Sequence, residues 1–81
     1  MQITVRANGS LAQAIGLPRV YLTLPDDATV EHLLAALAEQ FPDSAELLPI
    51  AVPIISGQHQ TNTSPLRSGQ EVALLIPVAG G

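Results

Sequence analysis

The chain contains no cysteine and no lysine, and only ten of its 81 residues carry a formal charge: three arginines against seven carboxylates. Each shortage excludes something. Without cysteine there is no disulfide framework and no thiolate for catalysis or zinc binding, so the domain must be held by its apolar core alone. A reducing, cytoplasmic setting fits that composition. A net charge of -4 disfavours nucleic acid as a partner, because binding it needs cations to displace counterions. An acidic protein suits a partner with a basic face instead. No apolar run is long enough to cross a bilayer: the stretches 47–55 and 72–79 are short and are interrupted by Pro49, Pro53 and Pro77. The opening Met-Gln-Ile-Thr-Val-Arg has none of the build of a signal peptide, so a soluble protein with no membrane partner is expected.

What is present is apolar. Hydrophobic residues make up 47% of the chain, enough to exclude a disordered chain and to fill one small core, though not two. Ile3, Val5 and Ala7 alternate with Gln2, Thr4 and Arg6, the period of a half-buried strand. Ser10 to Gln13 reads as a capping box opening a short helix, with Gly16 beyond its end and Pro18 after it. Val20, Leu22 and Leu24 alternate with Arg19, Tyr21 and Thr23, giving a second strand that closes at Pro25-Asp26-Asp27. These two strands are expected to form an antiparallel pair with a helical insert.

Thr29 is a good helix N-cap, and behind it Val30, Leu33, Leu34, Leu37, Ala38 and Phe41 fall at helical spacing up to the breaker Pro42. Asp43 to Leu48 reads as a further short turn capped by Asp43 or Ser44. Ile50 to Ile55 is strand-like, but Pro53 cannot donate to a ladder, which places it at an edge or a bulge. Ser56-Gly57 is a turn, Gln58 to Ser64 at best a short strand, and Pro65 to Gly69 a turn with Leu66 tucked inward. Glu71 to Ile76 is the last strand. The order strand, strand, helix, strand, weak strand, strand, with the helix as crossover, predicts an α+β ubiquitin-like β-grasp: a mixed sheet of four to five strands with one main helix across it. The body is expected over residues 1–76, and residues 77–81 as an extended Gly-Gly tail.

The body offers no active site. Asp26-Asp27 precedes a helix start, where carboxylates favour the macrodipole rather than act as a catalytic pair. His32 and His59 have no companions at metal spacing, so they read as capping or solvated histidines and no metal is expected. Neither a nucleophile triad nor a phosphate-binding loop is present.

The ending is distinctive. The run from Leu66 through "SGQEVALLIPVAGG" resembles the C-terminal signature of the small subunit of molybdopterin synthase, the MoaD family of ubiquitin-like sulfur carriers. "TVEHLLAALAEQFP" at 29–42 and "ISGQ" at 55–58 agree with it. Two positions depart from the family pattern: Ile76 stands where a first proline is common, and Ser56 where asparagine is common. The resemblance implies a protein that is not an enzyme by itself. An E1-like enzyme would spend ATP to adenylate the carboxylate of Gly81, and a sulfur donor protein would convert it to a thiocarboxylate. That sulfur would then pass to a pterin precursor of molybdenum cofactor held by the large subunit; no cofactor is bound to the chain itself.

The residue types suit that chemistry. An α-carboxyl titrates near about pH 3.5 and is therefore ionised and nucleophilic at neutral pH. Gly80 and Gly81 lack a Cβ and pass a narrow channel, Ala79 keeps the approach slim, Val78 offers an apolar anchor, and Pro77 restricts the chain before docking. Leu75 shares a strand face with Ala73, opposite Val72, Leu74 and Ile76; it reads either as a docking contact beside the tail or as core under the short helix. Arg67 and Arg6 pair with partner acids or stay solvated. Other functions remain open to the residues: a related carrier for tRNA or thiamine thiolation, a ubiquitin-like protein modifier, or a plain β-grasp interaction domain.

Overall fold

A computed structural model describes residues 1–77. Strand β1 spans Gln2–Ala7, helix α1 Gly9–Ile15, strand β2 Arg19–Thr23 and helix α2 Val30–Gln40. Two single 3-10 turns, Pro42–Ser44 and Leu48–Ile50, lead into β3 (Val52–Ile55), β4 (Gln58–His59) and β5 (Glu71–Leu75). The strands form one mixed sheet in the order β2-β1-β5-β3-β4. β1 runs antiparallel to β2 and parallel to β5, and β3 runs antiparallel to both β5 and β4. This is the β-grasp: the last strand of the chain lies at the centre of the sheet.

Alternation explains which face is buried. Ile3 and Val5 of β1, Leu22 of β2, and Val72 and Leu74 of β5 are inaccessible to solvent or nearly so, and α2 meets them with Val30, Leu33 and Leu37, all fully buried. At roughly 1.5–3 kcal/mol for each large apolar side chain taken out of water, these positions supply most of the driving force. Leu11 of α1, Leu48 and Leu66 close the ends of the core. Leu66 is tucked inward as its turn predicts, at 5% exposure.

Helix α2 is well held at its start. Thr29 is the N-cap, and its backbone N–H donates to Nδ1 of His32 at 2.9 Å. A histidine thus takes the place that glutamate or glutamine usually fills three residues after the cap, so the capping reading of His32 holds. The orphan N–H groups of Val30 and Glu31 donate to the carbonyls of Ser64 (3.0 Å) and Asn62 (2.9 Å). Backbone from the 62–66 loop therefore completes the helix terminus.

Three local expectations need correction. α1 starts at Gly9, not beyond Ser10: Asn8 is its extended N-cap and accepts the first intrahelical bond from the N–H of Ala12 at 3.4 Å, leaving Ser10 inside the helix. Gly16 does end it, at φ 88°, a left-handed angle that suits a residue without Cβ. Neither Asp43 nor Ser44 caps the following turn, because Pro42 already starts it with Phe41 as the cap. Ser44 is instead fully buried, its hydroxyl donating to the Phe41 carbonyl at 2.7 Å. Pro53 sits in an interior strand rather than on an edge or bulge. Its carbonyl accepts from Gln60 N–H at 2.9 Å, so its donor-less nitrogen also faces the two-residue β4, where the ladder ends. The pairing with β5 loses nothing.

Candidate functional site

Because β5 lies between β1 and β3, the chain beyond it leaves from the middle of the sheet. Leu75 ends the strand at 42% exposure, Ile76 is half-buried and Pro77 is exposed. A hollow of 510 Å3 lies beside this exit, lined by Asn8, Gly9 and Ser10 on one side and Leu75, Ile76 and Pro77 on the other. Val78, Ala79, Gly80 and Gly81 lie outside the described residues.

The sheet face turned away from α2 divides into two parts. Register places Val52 opposite Leu75 and Ile54 opposite Ala73, so four apolar side chains form one patch at the tail end of β5. Ala73 is in turn the register partner of Arg6, and beyond it the face becomes polar with Thr4, Arg19, Glu71 and Tyr21, the last 69% exposed. A depression of 280 Å3, lined by Arg6, Ile54, Ser56, Gly57, Glu71 and Ala73, straddles the boundary.

The electrostatics of the polar half are modest. Arg6 and Arg19 are cross-strand partners, a like-charge pairing that is unfavourable on its own. One carboxylate oxygen of Glu71 stands 3.9 Å from Nε of Arg6 and 3.7 Å from Nη2 of Arg19. All three side chains are roughly half exposed, so these contacts chiefly offset the repulsion between the arginines. Arg6 thus finds its acid within the chain.

Of the residues expected to act, the structure gathers Leu75 and Pro77 at the tail exit, but not Arg67. That side chain is exposed in the loop before β5, and the strand alone separates the two ends by about 13 Å. Ala73 shares Leu75's strand face already in the sequence, but Val52 and Ile54 do not follow from it. Their alternation is visible in the sequence, but only the pairing of β3 with β5 puts them beside Leu75. Asp26 and Asp27 form no catalytic pair: both are exposed before Thr29, and Asp26 lies 3.2 Å from the amino group of Met1. Among the described residues no three His, Asp or Glu side chains are grouped to hold a metal, and no helix is long and apolar enough to cross a membrane.

A β-grasp body whose central last strand leads toward a C-terminal Gly-Gly belongs to the class of ubiquitin-like proteins. The sequence profile of the ThiS family matches residues 5–81, and the chain belongs to that family of sulfur carriers. It is 24% identical over 81 residues to the molybdopterin synthase sulfur carrier subunit of Arabidopsis thaliana, covering all of this chain and 84% of that one. SAMP1 of Haloferax volcanii shares the fold with a TM-score of 0.88 at 24% identity, each chain covered completely. A chain in the solved complex of subunits 1 and 2 of molybdopterin-converting factor from Helicobacter pylori superposes with a TM-score of 0.72 at 27% identity, again over the full length of both.

Proposed function

We propose that this chain is the sulfur-carrier subunit of molybdopterin synthase. Its C-terminal Gly81 is adenylated by an E1-like enzyme at the expense of ATP and then converted to a thiocarboxylate. The observation that carries the proposal is the family match running through the tail to Gly81, after a strand at the centre of the sheet that borders a partly exposed apolar patch. The relationship to the Arabidopsis carrier subunit and the likeness to a chain in the Helicobacter two-subunit complex support the large subunit as the partner.

In this reading each part has one task. The Gly81 carboxylate attacks the α-phosphate of ATP and expels pyrophosphate; hydrosulfide delivered by a donor protein then attacks the acyl carbon, breaks its bond to the AMP oxygen and releases AMP, leaving the thiocarboxylate. The carboxylate alone is a poor electrophile, so adenylation supplies the leaving group. Gly80 and Ala79 let the tail enter a narrow partner channel, Pro77 limits the conformations lost on entry, and Val78 anchors it. Leu75 with Val52, Ile54 and Ala73 seats the body against the large subunit, and Arg67 contributes at most a rim contact.

The test is an intact-mass spectrum of the chain after incubation with the E1-like enzyme, ATP and a sulfur donor, beside a variant lacking Gly81. Exchange of one oxygen for one sulfur, absent in the variant, is expected; addition of the large subunit and a pterin precursor should then return the original mass. No exchange with an E1-like enzyme proven active on another carrier overturns the proposal. Gly81-dependent ladders on immunoblots of the native host would favour a protein modifier instead.

A further inference from the structure

The chain's charge is strongly divided. Six of its seven carboxylates, Asp26, Asp27, Glu31, Glu39, Asp43 and Glu46, lie between residues 26 and 46, a stretch without a single arginine. All three arginines lie elsewhere, two of them on the open sheet face. The acidic stretch is α2 and its flanks, and it also carries an apolar hollow that neither the tail nor the open sheet face uses.

This hollow is shallow, with a volume of 260 Å3, and lies between α2 and the segment that follows it. Leu34, Ala35 and Ala38 line one wall, Ala45, Leu48 and Pro49 the other, and Glu31 stands at its lip. Leu48 is buried and forms the floor, whereas Ala35, Ala45 and Pro49 are exposed. On the helix, Glu31, Leu34, Ala35 and Ala38 follow the i, i+3, i+4, i+7 line, so the hollow runs along the helix axis. Leu34 and Ala38 belong to the apolar stripe of α2 but are only half-buried, packed at the margin of the core. Glu39 stands one turn beyond Ala35, and Glu46 follows Ala45 directly.

We infer that this hollow is a docking groove for a basic amphipathic helix of a partner protein, separate from the tail and the open sheet face. Aliphatic side chains on one face of that helix enter between Leu34, Ala38 and Leu48, and flanking lysines or arginines meet Glu31, Glu39 and Glu46. Charge selects the occupant. Nucleic acid and anionic lipid carry the same sign as the rim, and a second copy of this chain would bring the same carboxylates face to face. A straight apolar groove beside a helix matches the way an amphipathic helix is recognised, by anchors at i, i+3 and i+4. A partner seated here leaves the tail and β5 uncovered, so it can stay bound while the tail is engaged elsewhere.

The experiment is a titration of the isotopically labelled full chain, followed by amide chemical shifts, with a synthetic helical peptide bearing leucine at i, i+3, i+4 and i+7 and lysine elsewhere. A matched peptide with glutamate in place of lysine is the comparison. Saturable shifts at Leu34, Ala35, Ala38 and Ala45 with the lysine peptide alone are expected. Ala35→Arg, which fills the groove with a good helix former and a like charge to the peptide, should weaken binding roughly tenfold without loss of helicity. Joint Glu39→Lys and Glu46→Lys substitution should weaken it as well. Shifts centred on Ile54, Ala73 and Leu75, equal response to both peptides, or no response overturns the inference, whatever the tail chemistry proves to be.

Discussion

Along β5, Val72 and Leu74 are fully buried, while Ala73 and Leu75 between and beyond them face the other side of the sheet. One strand thus serves two surfaces of different kind. The inner face is apolar from β2 across to β3 and is covered by α2. The outer face is apolar only where β3 and β5 meet near the tail, and polar across β1 and β2. Continuous apolarity marks a face that folding must cover, whereas a small patch that gives way to Arg6 and a polar half is left open by the fold, and in the function proposed above a partner covers it. Substitutions one residue apart along β5 should therefore differ sharply in effect.

The largest contrast is between Leu74 and Leu75. Leu74→Ala leaves a cavity under α2 and should cost about 2–5 kcal/mol. That is a large share of the roughly 4–12 kcal/mol expected for a domain of this size. Leu75→Ala removes a side chain already 42% exposed and should change stability by less than about 1 kcal/mol. Urea unfolding of the two variants measures both. Similar losses would break the distinction between the faces.

Binding should show the reverse order. If the proposed function holds, Leu75→Ala and Ile54→Ala, on paired strands at the centre of the outer patch, should each weaken association with the large subunit of molybdopterin synthase by roughly tenfold, about 1.4 kcal/mol. Calorimetric titration of the two proteins decides it. If neither variant matters and removal of the tail alone abolishes binding, the outer patch is surface and the tail carries the whole contact.

Much of this division can be read from the sequence, and the limits of that reading are physical. The alternation in β1, β2 and β5 and the stripe of α2 depend only on local period, so the β-grasp and the inner face follow from them. For Leu75 local pattern leaves a docking contact and core under α1 both open, and only its place opposite Val72 and Leu74 follows. Its neighbours do not, because Val52 and Ile54 join it through a register between strands nearly twenty residues apart in sequence. Pro53 misleads for the same reason: an edge or bulge is the usual refuge for a missing donor, yet here the donor-less side meets a strand of two residues. At the start of α1, Asn8 and Ser10 are both good caps, and local pattern alone does not choose between them. The tail chemistry is legible only as a motif, since glycines carry no side-chain signal of their own.

A smaller effect tests the polar half. Removing the Glu71 charge by Glu71→Gln leaves Arg6 and Arg19 opposite each other with no carboxylate between them, which should cost about 0.5 kcal/mol. Arg19→Gln in the same chain should recover most of the loss, because the repulsion then has only one member. A double-mutant cycle in urea, repeated at high salt, isolates this coupling. A cycle with no coupling at low salt would mean that the three half-exposed side chains are independently solvated.

An effect of similar size but opposite sign lies at the turn beside the outer face and separates stability from binding. Ser56 and Gly57 link β3 to β4 with φ of 50° and 76°, both left-handed, as a two-residue hairpin turn of the primed type requires. Serine tolerates that angle less well than asparagine, whose short amide side chain hydrogen-bonds locally and is favoured there. Ser56→Asn should therefore raise stability by about 0.5 kcal/mol while leaving Ile54, Ala73 and Leu75 in place. The measurement is the urea midpoint together with the affinity for the large subunit. A higher midpoint with unchanged affinity would mean that the outer face is already fully formed in the free protein. A higher midpoint with tighter binding would mean instead that the β3–β4 hairpin must still be ordered when the partner docks, and that part of the binding free energy is spent on it.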